Sequence, residues 1–181
     1  RGADGGTVVS HVASDNVAGG RMAGEYIVEL LGGKGTVVEL EGIPGTSAAR
    51  DRGEGFNAAI SEYKDIQVVA KQEAGFDRAR GLSVMENILQ AQPEIDAVFA
   101  HNDEMALGAL TAIRVSGRDI LVVGFDATDD AVKAVEEGRM AATVAQKPRD
   151  MGRISVEVAL KYLEGESVDD YVPVELALVT K

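Results

Sequence analysis

Cysteine is absent from this chain of 181 residues, which excludes disulfide frameworks, cysteine-ligated zinc and cysteine nucleophiles while leaving the compartment open. Basic residues are scarce as well. Lys and Arg total 18 against 30 Asp and Glu, for a net charge of -12, and no basic cluster of the kind that grips phosphate backbones is present. Nucleic acid is therefore not an expected partner. No apolar run reaches the ~18 residues needed to cross a bilayer, and no basic start, apolar middle and small-residue cleavage site mark a signal peptide. The common catalytic signatures are missing too: there is no G-x-x-x-x-G-K-[ST] loop, no G-x-S-x-G elbow, no H-E-x-x-H and no G-x-G-x-x-G after a strand. His11 and His101 lack any metal-like spacing, and the Gly42 to Ser47 turn lacks the lysine a nucleotide phosphate needs. The expectation is a soluble binding protein, not an enzyme, with no cofactor and no metal.

What remains is an ordinary globular composition, 45% hydrophobic and 27% charged, without low-complexity tracts. Glycine at 21 against proline at 4 points to tight turns between regular elements. β-Branched runs at Thr7–Val12, Thr36–Leu40, Gln67–Ala70, Ala97–Ala100, Ile120–Val123 and Ala141–Ala145 predict strands. Between them lie helical patterns: residues 21 to 31, stopped by Gly32 and Gly33; a helix from Ser47; one after the N-cap Asp77; one after Asn102 and Asp103; a short one capped by Thr128 and ending at Gly138; and a long one from Arg149 to Leu163. Alternating strands and helices with short connections imply an α/β fold, a Rossmann-like parallel sheet with helices on both faces. The alternating tail Asp169 to Lys181 reads as one extended strand, and a strand that follows a long helix predicts a crossing between two lobes.

In parallel sheets ligands bind beyond the carboxyl ends of the strands. There the sequence places Asn102 with Asp103, then Asp126, then Gln146, groups able to pair with vicinal hydroxyls in one plane. Each has a plainer reading: Asn102 and Asp103 as helix caps, Asp126 as an Asx turn, Gln146 as a loop amide. Repetition at three strand ends favours a polyhydroxyl ligand. Arg52, at the start of a helix whose partial positive end disfavours cations, needs a compensating acceptor, either a ligand oxygen or Asp126, unless it is simply solvated. Phe76, among only four Phe and four Tyr, is placed to stack on the apolar face of a sugar if it is not a core residue.

These residues resemble the periplasmic sugar-binding proteins of ABC importers, of the ribose-binding type. The resemblance is carried by Ser14-Asp15-Asn16, by the run Gly45 to Phe56, by Phe76-Asp77, by Asn102 to Leu110, by Val123 to Asp126 and by Ala141 to Gln146. It implies two Rossmann-like lobes of the periplasmic binding protein-like I fold, joined by crossing strands and closing on ligand. It implies that Arg1, Arg52, Phe76, Asn102, Asp126 and Gln146 contact a ribose-like monosaccharide. It also implies that residues 15–146 and 176–181 form the carboxyl-terminal lobe, with 1–14 and 147–175 as remnants of an amino-terminal lobe that is mostly absent. The implied setting is the periplasm or the cell exterior, soluble or lipid-anchored. The implied partners are a membrane permease and a chemoreceptor, with the full-length form a monomer. An effector-binding core of a lactose-repressor-type transcription regulator shares the two-lobe fold, and an α/β enzyme using Asp126 and Arg52 is a third reading.

Overall fold

The computed structural model describes residues 5–181. In chain order its elements are β1 (His11–Ser14), α1 (Asn16–Leu31), β2 (Lys34–Glu41), α2 (Ser47–Ser61), β3 (Asp65–Glu73), α3 (Arg78–Ala91), β4 (Ala97–Ala100), α4 (Asp103–Ser116), β5 (Leu121–Asp126), α5 (Asp129–Glu136), β6 (Ala142–Ala145), α6 (Pro148–Leu163), β7 (Tyr171–Val174) and β8 (Ala177–Thr180). Six strands form one sheet in the order β3-β2-β4-β5-β6-β8, parallel throughout except for β8, which runs antiparallel to β6. β1 and β7 form a separate parallel pair. Strand order reverses between β2 and β4, so their carboxyl ends flank the crevice where open α/β sheets bind ligands.

Both faces of the large sheet are buried, and each strand feeds the two cores by turns. Val38, Leu40, Val98, Ala100 and Val122 pack with Met85, Ile88, Met105, Ile113 and Val135 of α3, α4 and α5. Val37, Phe99, Val123 and Phe125 pack with Ala23, Ile27, Phe56 and Ile60 of α1 and α2. This double burial explains the nearly continuous apolar strands. α1 and α2 cross in near backbone contact. A Cβ at Gly55 would collide with the Val17 carbonyl, and one at Gly20 with the carbonyl of Arg52.

Four expectations need correction. No strand covers Thr7 to Ser10; β1 begins at His11, where its ladder to Tyr171 of β7 begins, because β-propensity alone makes no strand without a neighbour. α1 starts at Asn16, well before residue 21, because the Asp15 carboxylate caps it by accepting from the Ala18 N–H at 3.0 Å. The tail is two strands in two sheets, broken at Glu175 and Leu176, where Leu176 turns in to pack beside Phe125 and Gly19. Thr128 precedes α5 but its hydroxyl makes no cap; it donates instead to Asp103.

Candidate ligand-binding site

Five of the six residues singled out from the sequence converge at the carboxyl ends of β4, β5 and β6. The sixth, Arg1, lies outside the described residues. Arg52 sits more than a turn inside α2, beyond the reach of the helix-end penalty, and is not solvated: it is only 5% exposed. Its Nε donates to Asn16 Oδ1 at 2.9 Å and its Nη1 to the His101 carbonyl. Nη1 also stands 3.5 Å from Asp126 Oδ1, and the guanidinium carbon lies 3.7 Å from the centre of the Phe125 ring. Burial brings its pKa below the ordinary value, against the opposing pull of Asp126 and Asp103. Nη2 meets no acceptor among the described residues and is available to a ligand oxygen.

Asp126 ends β5 with φ of +121°, followed by Ala127 at +55°. Its Oδ1 accepts from Gln146 Nε2 at 2.6 Å and faces Arg52. Burial pushes its pKa up, against the opposing pull of Arg52 and Gln146. The Gln146 carbonyl oxygen accepts from the Ser14 hydroxyl at 2.6 Å, so its amide is held at both ends. Ser14 belongs to β1, so this bond ties the carboxyl end of β6 to the two-stranded sheet.

Asn102 caps α4, its Oδ1 accepting from the Met105 N–H at 3.0 Å, and its Nδ2 donates to the Phe76 carbonyl at 3.3 Å. Capping is thus its structural duty, yet the amide keeps a second hydrogen and a second lone pair. Phe76 is half-buried, with φ of +61°. Its ring lies against Gly42, where any side chain would collide with it, and 5.9 Å from the Arg52 guanidinium carbon. Phe76, Asp126 and Ala127 are the non-glycine residues with positive φ among those described, and all three stand at this corner. Such backbone costs energy and is found where surrounding contacts enforce it.

Sequence reasoning missed the layer beneath. Asp103, foreseen as half of a capping pair, is fully buried and caps nothing. Its Oδ1 accepts from the Thr143 hydroxyl at 2.7 Å, and its Oδ2 from the Thr128 N–H at 2.8 Å and hydroxyl at 3.2 Å. Burial pushes its pKa up to about 6 although the threonine donors pull the other way. Behind β4, Glu39 and His101 are both 0% exposed, with Glu39 Oε1 at 2.8 Å from His101 Nε2. Because Nδ1 of His101 accepts from the Gly42 N–H at 3.3 Å, Nε2 carries the proton and donates it to the carboxylate. Burial pushes the Glu39 pKa up, but hydrogen bonds from His101 and Asn57, with Lys71 nearby, bring it below its usual value. A glutamate inside the run Val37-Val38-Glu39-Leu40 was the available signal.

Phe76, Asp126 and Gln146 are partly exposed at this corner, while Arg52 and Asn102 are buried beside them. A surface hollow of about 620 Å³ lies elsewhere, where Ile120 leads into β5, beside Leu110, Arg114 and Lys133. Among the described residues no cluster of His, Asp and Glu could hold a metal ion, and no helix is long and apolar enough to cross a membrane.

Comparisons with known proteins agree with this geometry. The family model for the periplasmic binding protein domain matches residues 1–167. The ribose import binding protein RbsB of Haemophilus influenzae is 54% identical over 181 residues, all of this chain and 62% of the relative. Its counterpart from Bacillus subtilis is 52% identical, again over the whole chain and 59% of the relative. A crystal structure of an ABC transporter periplasmic solute binding protein from Actinobacillus succinogenes with bound D-allose superposes with a TM-score of 0.91 at 37% identity, covering 95% of this chain and 61% of that one. The chain thus spans roughly three-fifths of the length of these relatives. A parallel α/β sheet with helices on both faces, a polar corner at its strand ends and a family match over most of the length agree: the chain belongs to the periplasmic binding protein domain family.

Proposed function

We propose that this chain is the larger part of the substrate-binding component of an ABC-type sugar importer and takes ribose or a related monosaccharide. The observation that carries this reading is the convergence of Arg52, Asn102, Asp126 and Gln146 on one edge, each with hydrogen-bonding capacity to spare. A pyranose or furanose ring offers vicinal hydroxyls that planar amide, carboxylate and guanidinium groups bind in pairs. Phe76 adds an apolar ring beside them. Arg1 completes the set by family resemblance alone.

Residues 15–146 with 176–181 form one lobe in this reading, and 1–14 with 147–175 belong to the other. The separate β1–β7 pair and the return of β8 to β6 support that division. Binding is reversible capture without chemistry, in the periplasm, and the closed monomer docks on a membrane permease. Ribose import relatives at 52% and 54% identity favour the importer over the transcription regulator and over an enzyme. They lend no support to a lipid anchor or a chemoreceptor partner. The edge is one jaw of a two-jawed site, so the 181-residue chain alone binds sugar weakly or undetectably.

Calorimetric titration of ribose into a chain extended to the length of the relatives tests the reading. Asn102→Ala and Asp126→Ala each weaken binding at least about tenfold, the loss of one charge-assisted or bidentate contact. Unchanged affinity in both variants, or no affinity for any pentose or hexose, removes this function.

A further inference from the structure

We propose that Asp103 is the positioning residue for Asp126: it touches no ligand, and its buried carboxylate fixes the turn that aims the Asp126 side chain. This rests on the reading of Asp126 as a ligand contact. Asp126 and Ala127 occupy positive φ, a conformation neither side chain favours, so something must hold them there. The contacts that do so radiate from one carboxylate. Asp103 Oδ2 takes both the N–H and the hydroxyl of Thr128, the residue after the strained pair. Asp103 Oδ1 takes the hydroxyl of Thr143 on β6, and the same Thr143 oxygen accepts from the Ala127 N–H at 3.2 Å. The turn is thereby held from α4 on one side and from β6 on the other.

Room for the carboxylate is made by Gly124 of β5, since a Cβ there would collide with Asp103 Oδ1. Asp103 is 0% exposed, so neither a monosaccharide nor water reaches it. A fully buried acid at the amino end of α4 whose Asn102 neighbour already supplies the cap has no capping duty left. Its three donors all belong to the Asp126 turn or to the strand beside it. The other ionisable groups facing this corner are Arg52 from α2, Asp126 from β5 and Glu104 from α4, while His101 pairs away from it with Glu39.

The test combines NMR of the 181-residue chain with ribose titration of the chain extended to the length of the relatives. In the unmodified chain the Thr128 amide proton, bonded to Asp103, shifts with pH around a midpoint of about 6. Asp103→Asn abolishes that titration and weakens ribose binding at least about tenfold. Thr143→Val, which keeps the shape and removes the hydroxyl, speeds exchange of the Ala127 amide and weakens ribose binding in the same way, whereas Thr143→Ser restores both. Thr143→Val and Thr143→Ser decide the matter if Asp103→Asn does not fold. A Thr128 titration that persists in Asp103→Asn overturns the proposal, as does ribose affinity equal to that of the unmodified chain in Asp103→Asn or Thr143→Val. If the unmodified extended chain shows no response to ribose, the sugar reading fails separately, and the amide titration and exchange still decide whether Asp103 holds the turn.

Discussion

The guanidinium carbon of Arg52 rests 3.7 Å from the centre of the Phe125 ring, which places a cation over the last apolar side chain of β5, directly before Asp126. The ring supports the cation from below while Asn16, the His101 carbonyl and Asp126 fix its edges. Lysine carries the charge without the plane or the fork. Arg52→Lys is therefore expected to lower stability by about 2 kcal/mol. Urea denaturation with an unchanged m-value measures it, and a midpoint equal to the parent's shows that the fork is dispensable.

Glu39 gives the protein an acid limit. Its carboxyl lies below its ordinary value, so its stabilising contribution is fully present above the unfolded value of 4.5 and is lost as pH falls through the lower folded one. Glu39→Gln puts an amide nitrogen opposite either His101 on one side or Asn57 and Lys71 on the other, at a cost of about 3 kcal/mol near neutrality. The gap between parent and variant shrinks in acid. Denaturation at a series of pH values below 5 checks the convergence.

Asp103 acts in the opposite sense. Its folded pKa is raised, so its contribution to stability is complete below 3.8 and is lost as pH rises through about 6. A rise from 3.8 to about 6 corresponds to about 3 kcal/mol. Asp103→Asn cannot ionise, and relative to the parent it gains up to that amount between pH 4 and pH 7.5. Paired denaturation curves at the two pH values isolate this group, because the remaining carboxylates are common to both proteins. A constant difference would mean that Asp103 ionises as freely folded as unfolded.

Gly55→Ala should be among the costly glycine substitutions. Its Cβ meets the Val17 carbonyl of α1, a backbone atom that cannot rotate away. Forcing α1 and α2 apart costs about 2–3 kcal/mol by overpacking and also moves Arg52, one turn earlier on α2. A thermal melt reports the first effect, and the ring-current shift of the Arg52 protons over Phe125 reports the second.

α6 predicts a dependence on chain length. None of its residues is buried, and Val156, Leu160 and Leu163 are 60%, 54% and 79% exposed. Under the two-lobe proposal this face packs against residues present in the longer relatives. Leu160→Lys should be neutral, within about 0.5 kcal/mol, in the 181-residue chain, and should cost about 2 kcal/mol or more in the extended chain. Equal effects in the two contexts would argue against the lobe division.

The repeating strand and helix pattern was legible because each strand between Lys34 and Ala145 is an apolar run between recognisable stops. What could not be read depended on neighbours distant in the chain. β1 is defined by Tyr171 to Val174 opposite it, and the tail divides because two different sheets claim its halves. The candidate contacts were visible as polar residues at strand ends. Their supports were not, because nothing in the vicinity of Thr143 indicates that its hydroxyl reaches an acid 40 residues away. Phe76 was open to two readings, a stacking ring or a core residue; its positive φ and the glycine beneath it leave it half-buried, between the two.

The left-handed backbone at Asp126 and Ala127 has a consequence for anyone redesigning this scaffold. Glycine at 127 would relieve a local cost of about 1 kcal/mol and raise the melting temperature. It would also loosen one of the two strained positions of the turn that, under the proposal above, sets the bearing of the carboxylate. Under the proposed function, a screen that rewards thermal robustness alone would therefore select a change that blunts molecular recognition.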